Sequence, residues 1–600
     1  MKVVVLGGVA AGTKAAAKLK REDPSAEVVI YTKGKDISYA GCGLPYYVGG
    51  VIEDREELIV NTPEKYMSLT GTQVYTGCEA VAVDAAAHQV TFADGKQVGY
   101  DKLIVAVGAA PIVPPVAGVE LDGVFTMRTP DDAIAIRAYV ETHNCRRAVV
   151  VGGGFIGLEA AENLMAKGMG VTVVDMAPQL MPNIFDADMA GYVRRQLQNK
   201  GMRVLTGTAL AGIRGEERVT GVVTASGVLS ADVVVLSIGV RPATAFLQDS
   251  GLVMERGCIV TDEKQRTNLP DVYAVGDCAM VKNRMTGRLQ WSAMGSTANI
   301  AGRCLALNLG GTEAEYLGCL GTGVVKLGED LNAARTGLTE VQAREAGYDV
   351  ETVTCVTDDK AHYYPDASTF TTKLIADKVS HKLLGLQVVG GGAVDKMADV
   401  AAMGITFNAK VEDFLTVDFA YAPPFSTAIH PMAAACGVMV NKLAGKLVSF
   451  TPAEYANGAA EGYTVVDVHP APTLAGFPWA DVAKPEEVAA NTARRRRSSS
   501  SVPRVSVATS CRISCVLWAI PRSACWKAAL PSTLFAAAHL PAVSSTLRRS
   551  SGSRVWAACR TSASGMCSMS ASSPVTVRSP PMSIGRWQRL PSVSAAARWL

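Results

Sequence analysis

The sequence has no uninterrupted apolar run near the roughly 18 residues that a membrane-spanning helix needs, so no membrane partner is expected. Its first residues, Met1–Leu6, form a short apolar run with one lysine that leads straight into glycines. A secretory leader would need a longer apolar core and a small-residue cleavage site. The expected location is therefore cytoplasmic, where scattered cysteines stay thiols rather than forming a disulfide framework. No spacing of ligand-type residues assigns a metal. Residues 491–600 contain no Asp or Glu at all but sixteen Lys/Arg. Setting those sixteen aside leaves 42 basic residues against 55 acidic ones in 1–490, a net charge of −13 behind the whole-chain value of +3. The acidic body excludes a general basic surface for nucleic acid.

Six hundred residues with 48% hydrophobic content are too many for one core and imply several domains. One local pattern occurs twice. Val3-Val-Val-Leu-Gly-Gly-Val-Ala-Ala-Gly12 and Ala148-Val-Val-Val-Gly-Gly-Gly-Phe-Ile-Gly157 are each a β-branched strand, a glycine turn and an alanine-rich helix. A second strand follows each, at Val28–Tyr31 and Val171–Val174. This repeated βαβ unit predicts an α/β chain with two Rossmann-like dinucleotide-binding domains. Two nucleotides are then implied, most simply a flavin and a nicotinamide. The glycines let the backbone approach a pyrophosphate at a helix N-terminus. The second copy is complete at Gly152, Gly154 and Gly157, and Asp175 ends its next strand where a ribose hydroxyl would bind, which favours NADH over NADPH. The first copy keeps Gly7 and Gly12 but has Val9 in the middle glycine place and Thr32 in place of the acid. Gly276-Asp277 closes a strand and is expected to open a helix, with the carboxylate placed to accept hydrogen bonds from a sugar-alcohol chain. The region from about 323 to 450 reads as mixed strands and helices, an interface domain.

Cys42 lies in Ser38-Tyr-Ala-Gly-Cys-Gly-Leu-Pro-Tyr-Tyr47, about thirty residues beyond the first glycine loop. The next cysteine is Cys78, and Tyr47 occupies the place five residues on where a two-cysteine redox pair would have its second thiol. Any working disulfide is therefore expected to form with a small molecule. Only a thiolate attacks, so Cys42 should have a pKa lowered from about 8.5, with a following helix N-terminus as one source of that shift.

Residues 1 to about 450 resemble the FAD-dependent pyridine nucleotide–disulfide oxidoreductases. Within these they are similar to the single-cysteine branch of coenzyme A-disulfide reductases, NADH oxidases and NAD(P)H-dependent polysulfide or CoA-persulfide reductases. The matching stretches are Gly7–Gly12, Ser38–Tyr47, Tyr100–Ala109, Gly152–Glu162, Ile238–Pro242, Tyr273–Asp277, Gly295–Arg303, His362–Pro365 and Tyr421–Ser426. The resemblance implies a discontinuous FAD domain (1–115 and 243–325), an NAD(P)H domain (116–242) and an α+β dimerisation domain (326–450) of a homodimer. It implies FAD contacts from Gly7, Gly8, Val9, Ala10, Ala11, Gly12, Thr32, Lys33, Ala80, Ala106, Val107, Gly108, Asp277 and Ala298. For NADH, possibly NADPH, the contacts are Gly152, Gly154, Ile156, Gly157, Glu159, Asp175 and Gly239, with Glu159 near both flavin and nicotinamide. Arg21, Ser38, Asn299 and Arg303 match positions that hold CoA. Tyr363 and Tyr421 match tyrosines that the partner subunit brings beside the cysteine, where a phenol can protonate a leaving thiolate.

The implied reaction is reduction of a CoA disulfide, CoA persulfide or polysulfide by NAD(P)H through FAD and Cys42. The alternative is an NADH oxidase with oxygen or peroxide as acceptor; oxidase and peroxidase members carry a histidine in the first glycine loop, and Ala10 in that place argues against it. A flavin-binding protein whose basic tail is the working part is the alternative of another class. Three departures bear on the thiol substrate: Gly41 for asparagine, Val107 for threonine, and His430 where aspartate is commoner.

Glu461-Gly-Tyr-Thr-Val-Val-Asp-Val-His469 is similar to the opening of a rhodanese domain, giving a remnant at 460–490. The tail 491–600, with 24 serines, five cysteines and five tryptophans, suits neither a core nor a solvated arm and is expected to be irregular. Out-of-frame translation accounts for it: in the neighbouring frame Ser498–Ile513 can read as a stretch with a Cys-x-x-Gly-Lys-Arg loop of rhodanese type. The gene's nucleotide sequence is the check. An open neighbouring frame across this stretch is expected, and stop codons there would end the idea.

Overall fold

The computed structural model describes residues 1–451, 454 and 457–459, and four further strands at 463–467, 482–483, 504–511 and 514–520. Two parallel sheets carry the two glycine loops. In the first, the strand order is 272–274, 102–105, 2–6, 27–31, 73–75, with Val3 paired to Val28 on one side and Lys102 on the other. In the second, the order is 203–205, 170–174, 147–151, 233–236, 124–126, with Ala148 paired to Val171 and Val233. Val3–Leu6 and Ala148–Val151 are buried on both faces: one face is covered by helices, the other by a three-stranded antiparallel sheet, 80–84, 89–92 and 97–99 in the first domain and 210–215, 219–224 and 227–230 in the second. In each sheet the glycine loop leaves the central strand between neighbours reached in opposite directions, the switch point where such sheets bind ligands.

The two copies share their tight contacts. A Cβ on Gly7 would lie 2.1 Å from Ala106 O, and one on Gly12 would lie 2.0 Å from Gly7 O. The equivalent distances are 2.2 Å from Gly152 to Ser237 O and 2.0 Å from Gly157 to Gly152 O. The middle glycine differs, because a Cβ on Gly154 would meet nothing within 4 Å. That position makes no contact inside the protein, which is the physical reason the first copy folds with Val9 there.

The third sheet is antiparallel, in the order 323–326, 332–337, 383–390, 369–377, 350–358. The helices Val394–Thr406 and Pro431–Leu443 share a hydrophobic cluster with it. Strands anticipated at 371–376 and 382–389 run from Thr369 to Asp377 and from Leu383 to Gly390. Lys373 ties this sheet to the second parallel domain. It is 2% exposed, and its ammonium lies 3.0 Å from Asp188, 3.0 Å from Glu340 and 3.3 Å from Asp186. Burial opposes its charge, but the three carboxylates outweigh burial and hold its pKa above the ordinary value. Gln387 Nε2 also donates to Asp186 Oδ2 at 2.6 Å.

No helix follows Gly276-Asp277, contrary to expectation. Cys278 and Ala279 turn directly into the strand Met280–Lys282, and the helix of this region starts only at Gly295. Beyond 451, Tyr463–Asp467 pairs in parallel with Val482–Ala483 and with Arg504–Cys511, which forms an antiparallel pair with Ser514–Ile520. Two of these strands fall inside the stretch expected to be irregular; the rest of that stretch, and most of the rhodanese-like remnant, lie outside the described residues.

His430 caps the helix Pro431–Leu443, its Nδ1 accepting from Met432 N–H at 3.2 Å while the ring stacks on Phe419 at 4.1 Å. An aspartate would offer the same acceptor, so the departure at 430 exchanges one cap for another. Burial, helped by the Lys396 charge, pushes His430 down to about 4 from 6.5. The unfolded chain therefore takes up a proton near 6.5 that the folded chain refuses until about 4, so this stability is present above 6.5 and is lost as pH falls toward 4. The urea midpoint is expected to drop between about pH 7 and pH 5, and to drop less in His430→Asn, which keeps a cap acceptor.

Candidate active site

Residues Gly41–Gly43 make one tight 3-10 turn, and Leu44–Gly49 continues as a helix until Gly50, at φ 87°, ends it. Pro45 sits in the first turn, where its missing N–H costs nothing. Arg137 holds the other end, donating to the carbonyls of Glu53 at 3.0 Å and Ile52 at 3.3 Å with its guanidinium over the Tyr47 ring. Cys42 is the one exposed cysteine among those described, and none of these is in a disulfide.

The expected lowering of the Cys42 pKa is overturned. The surroundings push the thiol up, first by desolvation and then through the carboxylates of Glu159 and Asp277, with Arg128 opposing. The helix that follows is only six residues long.

Glu159 comes from the helix Phe155–Ala166. Tyr46, in the helix that follows the Cys42 turn, donates its phenol proton to Glu159 Oε1 at 3.2 Å. Burial drives Glu159 up to about 7; the Tyr46 bond pulls it down and Glu162 pushes it up. Burial and Glu159 in turn hold the Tyr46 phenol well above its usual range. The two helices meet at Gly49, where a Cβ would lie 2.2 Å from Asn163 Oδ1.

The first glycine loop fits a flavin dinucleotide. Thr32 is buried against Gly8, and Ala298 is buried beside Gly276. Gly302 brings the helix Gly295–Leu309 against the carbonyl of Ala11. Among the described residues no side chain or amide donates to the Asp277 carboxylate; Arg128 Nη2 approaches only to 4.0 Å. Burial pushes this acid up. A part-buried carboxylate with free acceptor capacity suits the hydroxyls of a ribityl chain. Lys33 is engaged by Glu79 at 2.8 Å, and Ala80 begins the strand Ala80–Asp84. Val107 is half-buried, and Gly108, at φ 70°, faces Arg128.

The second loop fits a nicotinamide dinucleotide. Asp175 accepts from Gly153 N–H at 2.6 Å and from Ala177 N–H at 2.8 Å, which fixes its carboxylate at the strand end. The space beside Gly154 is open, Ile156 and Gly239 are exposed, and Ser237 Oγ is a buried hydroxyl without a partner below the turn. These groups fit a pyrophosphate and a ribose.

Tyr363 and Tyr421 are exposed and hydrogen-bond one another, which raises Tyr421 above the usual phenol range. Within one chain neither is bonded to Cys42 among the described residues. Arg21 and Arg303 are exposed on the adjacent helices Ala10–Glu22 and Gly295–Leu309. Asn299 is exposed one turn before Arg303, and Ser38, at φ 49°, accepts from Asn61 Nδ2 at 3.2 Å. Sequence reasoning missed Tyr46 and Arg128. A lone arginine before the Thr129-Pro130 helix start carries no sequence signal, and Tyr46 gains meaning only from a residue 113 positions away.

Comparison with known proteins adds three findings. The family described as pyridine nucleotide-disulphide oxidoreductase matches residues 1–298, and its dimerisation domain matches 329–433. Among curated relatives, the chain is 36% identical over 433 residues to the NAD(P)H sulfur oxidoreductase (CoA-dependent) of Pyrococcus abyssi, covering 72% of this chain and 96% of that protein. It is 33% identical over 450 residues to the NADH oxidase of Methanocaldococcus jannaschii, covering 74% of this chain and 100% of that one. Among solved structures, the reduced CoADR-RHD of Bacillus anthracis matches with a TM-score of 0.79 and 33% identity, over 85% of this chain and 92% of that one.

Asn163 is 1% exposed and donates to Glu159 O at 2.8 Å and Glu162 Oε2 at 2.9 Å, so it is not free to move aside. Gly49→Ala is therefore expected to part the two helices and to lower unfolding free energy by about 1–3 kcal/mol in chemical denaturation.

Proposed function

The chain belongs to the pyridine nucleotide-disulphide oxidoreductase family, and from that premise we propose that it uses NAD(P)H to reduce CoA disulfide, CoA persulfide or polysulfide through Cys42. The observation that carries this reading is one exposed thiol without a neighbouring cysteine, at the start of a short helix packed against the nicotinamide-fold helix. Among the described residues such a thiol has no cysteine partner, and a small molecule is the partner proposed for its disulfide.

Cys42 as thiolate attacks a sulfur of CoA disulfide; the Cys42–S bond forms, the S–S bond breaks, and one CoA thiolate leaves. Two electrons and a proton, derived from NADH, then split the mixed disulfide into Cys42 thiolate and CoA thiol. The sum is NADH, a proton and one CoA disulfide giving NAD⁺ and two CoA thiols. FAD, when bound, supplies the two-electron transfer. We assign it to 1–115 with 243–325, held by the first glycine loop, Thr32 and Asp277, and assign the nicotinamide nucleotide to 116–242, held by the second loop and Asp175. The exposed Arg21 and Arg303 supply the positive charge that CoA phosphates need. The dimerisation domain, 326–450, serves a homodimer in which the Tyr363–Tyr421 pair reaches the other subunit's thiol and protonates the leaving sulfur. A cytoplasmic setting keeps the free thiols reduced.

The NADH oxidase relative makes oxygen the competing acceptor, and Ala10, which offers no imidazole to the thiol, favours the sulfur reading. Anaerobic NADH oxidation by the FAD-loaded protein, with CoA disulfide and polysulfide as separate acceptors, is expected to proceed and to vanish in Cys42→Ser. No turnover with either, and rapid NADH loss on admitting air, would replace this reading with the oxidase.

A further inference from the structure

The segment between the strand Gly170–Val174 and the helix Ala187–Asn199 is fastened at both ends. Its near end meets the second glycine loop. Ala177 N–H donates to Asp175 Oδ1 at 2.8 Å, and Met181 N–H donates to the carbonyl of Gly153 at 3.1 Å. Gly153 N–H in turn donates to Asp175 Oδ2 at 2.6 Å, and a Cβ on Gly153 would lie 2.5 Å from the Leu180 side chain. Its far end meets the antiparallel sheet through Asp186. Gln387 pairs with that residue twice, its Oε1 accepting from Asp186 N–H at 2.9 Å and its Nε2 donating to Asp186 Oδ2 at 2.6 Å. Glu340 N–H donates to the same oxygen at 3.1 Å, and the Lys373 ammonium lies 3.3 Å from it. Between the ends the segment closes on itself, with Phe185 N–H donating to Met181 O at 3.1 Å and Gln179 Nε2 to Phe185 O at 2.9 Å. Leu180 and Met181 are fully buried. Met181 sits at φ 47°, a left-handed conformation that residues other than glycine adopt only where their surroundings impose it.

We propose that Gln387 and Lys373 of the antiparallel sheet are positioning residues for the nicotinamide nucleotide: they hold the strap 176–186, and the strap holds Gly153 and Asp175 where pyrophosphate and ribose bind. Each link from Gln387 to Asp175 is a hydrogen bond or a packing contact between buried or half-buried groups. A shift of Asp186 is therefore passed through Phe185 and Met181 to the glycine loop. A carboxylate fixed in place before the ligand arrives spares the cost of ordering it on binding. With the far end loosened, the contacts to the nucleotide remain available but are no longer set in advance, so affinity falls. The coupling is reciprocal, and a bound nucleotide holds the strap against the sheet in return. The third domain thus tunes a site to which it contributes no side chain.

The inference rests on the nucleotide assignment made under the proposed function, and its test needs no turnover. ADP-ribose is the probe, because it carries the ribose and the pyrophosphate but no hydride. Its Kd for the FAD-loaded protein is measured by titration calorimetry. Gln387→Met keeps nearly the same volume and removes both bonds to Asp186; it is expected to weaken ADP-ribose about five- to tenfold. The KM for NADH is expected to rise by a similar factor with kcat unchanged, the mark of lost uniform binding. Gln179→Ala, on the half-buried part of the strap and outside the core, is expected to act in the same direction by less, and it decides alone if Gln387→Met does not fold. In the double variant the effects are expected to add to less than their sum, since both loosen one strap. A merely structural tie would lower the urea midpoint and leave the ADP-ribose Kd at its wild-type value, and that result would overturn the proposal. Wild-type protein that binds no ADP-ribose would instead overturn the nucleotide assignment on which the strap's role depends.

Discussion

The helix that follows Cys42 reaches the helix Phe155–Ala166 only because residue 49 has no side chain. At that point a single Cβ would sit 2.2 Å from a buried, doubly bonded Asn163. The constraint joins the segment that bears the thiol to the helix Phe155–Ala166, which bears Glu159 and follows the second glycine loop. The Tyr46–Glu159 bond crosses the same helix pair. Arg137 secures the same segment from its other end by taking up the carbonyls of Ile52 and Glu53.

Around that contact, charge is arranged against the thiolate rather than for it. Desolvation, Glu159 and Asp277 push the Cys42 thiol up, and the Arg128 charge opposes them. Lys373 plays a different part further off. Enclosed by Asp186, Asp188 and Glu340, it keeps the second parallel domain seated on the antiparallel sheet.

The duplicated βαβ unit was readable because its signal is local: an apolar β-branched run, glycines at fixed offsets and an alanine-rich helix. Each strand anticipated there lies within a residue or two of its position. Asp277 was identified through its glycine, but the helix expected after it is a turn into Met280–Lys282, and the helix of this region begins only at Gly295. His430 stood out as a departure, and only the fold explains it, as a helix cap. The sign of the Cys42 shift was misread because its causes, Glu159 and Asp277, lie 117 and 235 positions along the chain. Tyr46 and Arg128 were missed for the same reason, as contacts at long sequence separation leave no periodic trace.

The claim on which the account turns is that Cys42 forms its disulfide with a small molecule and with no other cysteine of the chain. The direct measurement is the mass of the Cys42 peptide, isolated without reductant after the FAD-loaded protein has met CoA disulfide, before and after anaerobic NADH. The account predicts a peptide carrying one CoA that NADH removes. A Cys42 peptide linked to another peptide of the chain, or one left unmodified while NADH is consumed, would contradict it.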